Sequence, residues 1–231
     1  MGELTIVGDE PHAPYDRPPL SKYVLAGALS ADATGLPNLV PLNAQWRLGD
    51  KAVALTPETR RVILRSGEEL AYDRLLIATG AQARRWPARK GGDLSGVFTL
   101  RSRDDAAALL AALRREPRRI LIIGGGLIGW ETASCCRDLG LDGTLVDPNP
   151  TPLARVLGTF IGAVVTGCLR DAGVDFRPGQ HVQSLEGDSV GRVTRARFAD
   201  GEAIDADLIV VALGATRDTG WLAEAGLLAD P

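Results

Sequence analysis

With 231 residues, 45% hydrophobic and 24% charged, the chain can form one large or two small domains around a sizeable core, and its mean hydropathy of +0.02 describes a soluble globular protein. Its net charge of −3 gives no electrostatic reason to expect nucleic acid or an anionic membrane as partner. No apolar run approaches the roughly 18 residues that span a bilayer, the N-terminus lacks the features of a signal peptide, and Cys135, Cys136 and Cys168 make neither a CxxC pair nor a zinc spacing, so a cytoplasmic location and buried small thiols are expected.

The chain opens on a short apolar strand, Leu4 to Val7, that closes on Gly8-Asp9-Glu10. The proline-rich stretch Pro11 to Lys22 predicts an ordered loop leading into a short helix from Leu20. Ala52 to Leu55, Arg61 to Arg65 and Glu69 to Tyr72, separated by Thr56-Pro57-Glu58 and Ser66-Gly67, predict a β-meander. Tyr72 to Gly80, YDRLLIATG, reads as a buried strand ending in a small-residue turn where backbone can approach a ligand. Gln82 to Gly96 is rich in Arg, Pro and Gly and reads as a crossover loop. Ser102 to Glu116 predicts a helix, with Asp104 and Asp105 in its first turn and Arg114 and Arg115 near its end, as a helix dipole favours.

Next comes RILIIGGGLIGWE, Arg119 to Glu131. The aliphatic run Ile120 to Ile123 enters a tight turn, and helical periodicity follows. In such a strand-turn-helix the first glycine, Gly124, permits the turn, Gly126 lets backbone approach a pyrophosphate, and Gly129 lets helix and strand pack closely. Leu127 and Ile128 lie in the first helical turn, whose N–H groups and partial positive charge suit phosphate. A second strand, Thr144 to Val146, ends in Asp147, placed to accept from an adenosine ribose 2′-hydroxyl. The next residues are Pro148-Asn149-Pro150, with no immediate basic partner for a 2′-phosphate, so NADH is expected over NADPH.

Leu153 to Ala172 predicts a crossover helix weakened by Gly158, Gly162 and Gly167. Val174 to Phe176, His181 to Leu185, Val193 to Phe198 and Glu202 to Ile204 predict a second meander, and Asp207 to Ala212 a last buried strand reaching Gly214. The two halves therefore repeat one pattern: an acid-ended strand, a meander, then an aliphatic strand and glycine turn. The fold expected is α/β, with two related Rossmann-like domains of parallel sheet plus meander, the first incomplete.

PYDRPPLSK, YDRLLIATGA, TLRSRDDA, GGGLIGWE and VVALGATRDTGWLAEAGL resemble the successive signatures of FAD-dependent, NADH-linked ferredoxin and rubredoxin reductases, over essentially the whole chain. The resemblance implies an FAD domain in two chain segments, 1–101 and from 218 onward, with an NADH domain inserted over 102–217. It further implies electron flow from NADH through FAD to a ferredoxin- or rubredoxin-type partner. It places Lys22 beside the flavin, Glu131 near the nicotinamide carboxamide, and Asp9 and Glu10 toward the FAD ribose. Arg17, Val53, Ala78, Thr79, Gly80 and Arg101 are implied FAD contacts, Arg155 is implied to contact the adenosine phosphate or ribose, and Gly214 is implied to be cofactor-binding.

The family's first glycine loop and its C-terminal region are expected outside this sequence, so the chain alone is expected to bind FAD weakly or not at all, while 102–217 could still fold and bind NADH. Trp130 stands where the family usually has a smaller aliphatic residue, and Arg217-Asp218 replaces its usual Pro-Asn. Two other readings remain open from the residues: a non-catalytic NAD(H)-binding or interaction module, and an NADH oxidase or nitrite reductase-like flavoenzyme. A disulfide reductase is disfavoured, because no cysteine lies near Lys22 to face a flavin.

Overall fold

Ile120–Ile123 and Leu208–Val211 are buried along their whole length, as all-aliphatic strands are in the interior of a parallel sheet covered on both faces. The computed structural model describes residues 2–37, 42–151 and 153–227, with 154–156 described by backbone alone. In chain order the elements are β1 (Thr5–Gly8), β2 (Gln45–Leu48), β3 (Ala52–Thr56), β4 (Arg61–Leu64), β5 (Glu69–Ala71), β6 (Ala81–Ala83), β7 (Val97–Thr99), α1 (Arg103–Leu113), β8 (Ile120–Ile123), α2 (Leu127–Asp138) and β9 (Gly143–Asp147). They continue with α3 (Ala154–Asp171), β10 (Asp175–Pro178), β11 (Val182–Gly187), β12 (Val193–Phe198), β13 (Ala203–Asp205), β14 (Leu208–Val211) and β15 (Ala215–Arg217). The residues fall into two compact units, 1–15 with 35–82 and 216–231, and 16–34 with 83–215.

The second unit is built on the parallel sheet β10-β9-β8-β14-β7. Helices α1, α2 and α3 connect its successive parallel strands, as such strands require. Ser102 caps α1 by accepting from the Asp105 N–H while the Asp105 carboxylate accepts from the Ser102 N–H, so two orphan donors are satisfied where the sequence expects the helix to start. The antiparallel β11-β12-β13 closes one side of the core, where Val193, Ala196 and Phe198 pack with Leu121, Ile123, Ile209 and Val211. The segment 16–34 belongs to this unit: Leu20, Val24 and Leu25 are buried and Arg103 pairs with Asp32. By contacts, 16–34 and 83–101 cluster with 102–215. The physical reasons are this burial and the pairing of β7 with β14.

Arg119, entering β8, is held by Asp207, entering β14, with Nη2 to Oδ1 at 2.6 Å, and by Asp205 at 3.0 Å. The Arg119 hydrogen bond holds the Asp207 carboxyl below the usual carboxylate range, against partial desolvation. A carboxyl depressed in the folded state stabilises above its unfolded pKa and loses that contribution as pH falls through its folded value. The expected result is a thermal midpoint that is flat near neutrality and declines in acid, below about pH 4. Asp207→Asn should show a shallower acid decline, and the effect is small because the pair is exposed and screened.

In the first unit β1 and β2 pair in parallel, Thr5 opposite Gln45, and β3-β4-β5 form the expected meander. Leu55, Val62, Leu64 and Leu222 make its core, with Val7 and Ile77 packed against them. The buried strand expected over 72–80 does not form, and Leu76 is 88% exposed. A strand forms only where neighbouring backbone completes its hydrogen bonds, and among the described residues β1 and β2 pair with each other alone, with nothing in that sheet for 72–80 to join. Four short strands were not foreseen: β2, β6, β7 and β15, with β6 and β15 paired to each other.

Cys168 departs from the expectation of burial and is exposed, because it lies on the open face of α3, whereas Cys135 and Cys136 are buried. Burial pushes the Cys135 thiol up to about 11 and the Cys136 thiol to about 12. The native protein is therefore expected to react with a disulfide reagent at neutral pH with one fast thiol of its three, all three reacting after denaturation. Among the described residues no helix is long and apolar enough to cross a membrane, and no cluster of His, Cys, Asp and Glu could hold a metal ion.

Candidate functional site

The turn from β8 into α2 is shaped by three glycines that do different work. Gly124 has φ 113°, and a β-carbon there would stand 2.5 Å from the Ala212 carbonyl oxygen at the end of β14. A β-carbon on Gly129 would stand 1.8 Å from the Gly124 carbonyl oxygen, so α2 packs onto the turn only because that atom is missing. Gly126 is different: it is the N-cap of α2, extended, exposed, without side-chain capping, and nothing lies within 4 Å of where its β-carbon would be. The first-turn N–H groups of α2, from Leu127 and Ile128 onward, therefore have no side-chain cap at Gly126, beside open space. That cradle fits a pyrophosphate. Gly214 (φ 84°) lies just past β14 on the same carboxyl edge of the sheet, where Val211 of β14 is in register with Ile123 of β8.

Asp147 ends β9, is 7% exposed, and is tied to the glycine loop. Its Oδ2 accepts from the Gly125 N–H, while Oδ1 accepts from the backbone N–H and the Nδ2 of Asn149, both at 2.7 Å. The Gly124 N–H donates to the Val146 carbonyl at 2.8 Å and the Leu153 N–H to the Gly125 carbonyl at 3.0 Å. Asp147 and the glycine loop are thus one braced body. The side chain of Arg155, in the first turn of α3, lies outside the described residues.

Lys22 and Glu131, distant in sequence, meet in the second unit with Nζ 2.9 Å from Oε1. The other oxygen of Glu131 accepts from the Ser21 hydroxyl, and Ser21 is 3% exposed. One helical turn further along α2 the Cys135 thiol donates to the carbonyls of Ser21 (3.3 Å) and Lys22 (3.5 Å). The raised pKa of Cys135 keeps the proton that these contacts use. Arg17 Nη1 donates to the Arg101 carbonyl at 3.0 Å, so these two expected residues are also brought together. Trp130 keeps its indole N–H buried without a partner among the described residues.

In the first unit Asp9 is paired with Arg65 (2.7 Å), lies 3.9 Å from Lys51, and accepts from Gln82 at 3.4 Å. Lys51 also pairs with Asp218, and the Thr79 hydroxyl donates to the Asp218 carbonyl at 2.7 Å. Glu10 accepts from the Tyr15 hydroxyl. Val53 and Ala78 are exposed, and Gly80 takes φ 69° beside open space, as a turn open to a ligand requires. Sequence reasoning missed Ser21, Cys135 and Asn149 in the second unit and Lys51, Arg65 and Gln82 in the first. Ser21 and Asn149 adjoin named motif residues; the others carry no local signal.

The family model of the pyridine nucleotide-disulphide oxidoreductases matches residues 1–231. The chain is 38% identical to the ferredoxin–NAD(+) reductase component of the biphenyl dioxygenase system of Paraburkholderia xenovorans (strain LB400), over 99% of this chain and 57% of the relative. It is 35% identical to the rubredoxin–NAD(+) reductase of Ectopseudomonas oleovorans, over 98% of this chain and 59% of the relative. The fold matches that in the covalent putidaredoxin reductase–putidaredoxin complex with a TM-score of 0.91 and 32% identity, covering 100% of this chain and 56% of that one. The chain thus spans somewhat over half the length of the curated relatives it matches.

Proposed function

The chain belongs to the pyridine nucleotide-disulphide oxidoreductase family, and we propose that it contributes the NADH site and part of the flavin site of a cytoplasmic, FAD-dependent reductase serving a ferredoxin- or rubredoxin-type acceptor. The observation that carries this reading is the uncapped start of α2 at Gly126, with open space beside it and Glu131 in the next turn paired to Lys22. The flavin, when bound, accepts hydride and returns electrons singly.

The protein's own groups supply binding and electrostatics. The α2 N–H groups of the glycine loop hold the pyrophosphate of NADH. Glu131, fixed by Ser21 and Lys22, presents a set orientation toward the nicotinamide. The ammonium of Lys22 is a positive charge for a reduced, anionic ring, and its pairing with Glu131 keeps its position defined without burying it. Asp9, Glu10, Arg17, Val53, Ala78, Thr79, Gly80 and Arg101 are the residues proposed for the flavin.

Calorimetric titration with NADH, together with an absorption spectrum of the purified protein, tests the reading. NADH binding is the expected result, and a chain that binds no dinucleotide overturns it. Binding with no flavin and no diaphorase activity after FAD is added would favour a binding module.

A further inference from the structure

Asp147 enters any nucleotide contact already engaged: Oδ2 accepts from the Gly125 N–H, Oδ1 accepts twice from Asn149, and little of the side chain reaches solvent. Its neighbour completes the picture. An ionised carboxylate only accepts hydrogen bonds, so the Asn149 amide must turn its NH2 toward Asp147 and its carbonyl Oδ1 away. Asn149 is half-buried in a short loop between Pro148 and Pro150, which restrict the backbone on both sides. The loop is tied back to the glycine turn through the Leu153 N–H. In the same loop the Thr151 hydroxyl is buried without a hydrogen-bond partner among the described residues, a second polar group with unused capacity.

We propose that Asn149 is a specificity-determining residue of the dinucleotide site, its side-chain carbonyl accepting the adenosine ribose 2′-hydroxyl and disfavouring a 2′-phosphate. The proposal rests on the NADH-binding reading above. The hydroxyl is a donor and satisfies Oδ1. A 2′-phosphate dianion offers only acceptor oxygens, and would face the Asn149 carbonyl and the Asp147 carboxylate together. Asp147 then acts through Asn149: it orients the amide and braces the Gly125 N–H, and its charge adds to the rejection of phosphate.

Calorimetry on the 231-residue chain with NADH, NADPH and 2′-deoxy-NADH decides this, comparing wild type with Asn149→Ala. Wild type is expected to bind NADH more tightly than NADPH and about five- to tenfold more tightly than 2′-deoxy-NADH, the size of one hydrogen bond. In Asn149→Ala the penalty for the missing hydroxyl should vanish, and the NADH-over-NADPH preference should fall by a similar factor. Because the deoxy comparison is made within each protein, a general weakening of the variant does not imitate the result. An Asn149→Ala protein that keeps the full wild-type deoxy penalty overturns the inference and leaves the proposed function standing. Wild type that binds NADH without any deoxy penalty also overturns it, whereas wild type that binds no NADH overturns the proposed function itself.

Discussion

Gly129→Ala is expected to destabilise the second unit by about 3 kcal/mol or more and to remove dinucleotide binding, whereas Gly126→Ala is expected to fold normally and still lose affinity. The difference follows from where each β-carbon would go. At Gly129 it would lie 1.8 Å from a backbone oxygen, and neither α2 nor the Gly124 turn can yield without opening the β8–α2 contact. A loss of that size corresponds to a melting shift on the order of 10 °C for a chain of this length. At Gly126 the backbone is extended and the surrounding space open, so alanine should change stability by no more than about 0.5 kcal/mol. On the proposed function that open space receives the pyrophosphate, so NADH affinity should still drop about tenfold or more. Thermal melts paired with NADH titrations of the two variants read this directly. Equal melting losses would contradict the assigned packing, and unchanged affinity in Gly126→Ala would move the phosphate elsewhere.

Glu131→Ala is expected to cost about 1–3 kcal/mol, and Glu131→Gln much less. Two interactions end at this side chain, and their magnitudes separate them. The Lys22 pair is 46% exposed on the lysine side and contributes about 0–1 kcal/mol. The Ser21 hydroxyl is buried, and leaving it without an acceptor costs about 1–3 kcal/mol. Glutamine retains an oxygen for Ser21 and gives up the charge, so the hydroxyl should dominate the stability effect. Ser21→Ala combined with Glu131→Ala should recover part of the single-variant loss, giving a clearly non-additive cycle. A Glu131→Gln protein as unstable as Glu131→Ala would instead assign the stabilisation to the ion pair.

What was legible in the sequence was local. Ile120–Ile123 running into Gly124, Gly126 and Gly129 specified strand, turn and helix from their own residues, and Ser102 with Asp105 specified the start of α1, because both are decided within a few residues of chain. The alternating patterns of both meanders were legible for the same reason. The stretch 72–80 was misread because its aliphatic run has strand propensity, yet a strand exists only where neighbouring backbone completes its hydrogen bonds. Cys168 was misread because a helix with apolar residues spread around it does not say which face is covered.

The chain by itself therefore determined the α/β class, the glycine turn between β8 and α2 and the family resemblance, all of which rest on short-range geometry and residue type. Only the tertiary structure decided that Lys22 and Ser21 close on Glu131, and that Cys135 grips the carbonyls of that same turn. Only it showed that Asp147 accepts from the Gly125 N–H and from two donors of Asn149. Such contacts join residues brought together by packing, or depend on which way a side chain turns, and neither leaves a periodic mark in the sequence.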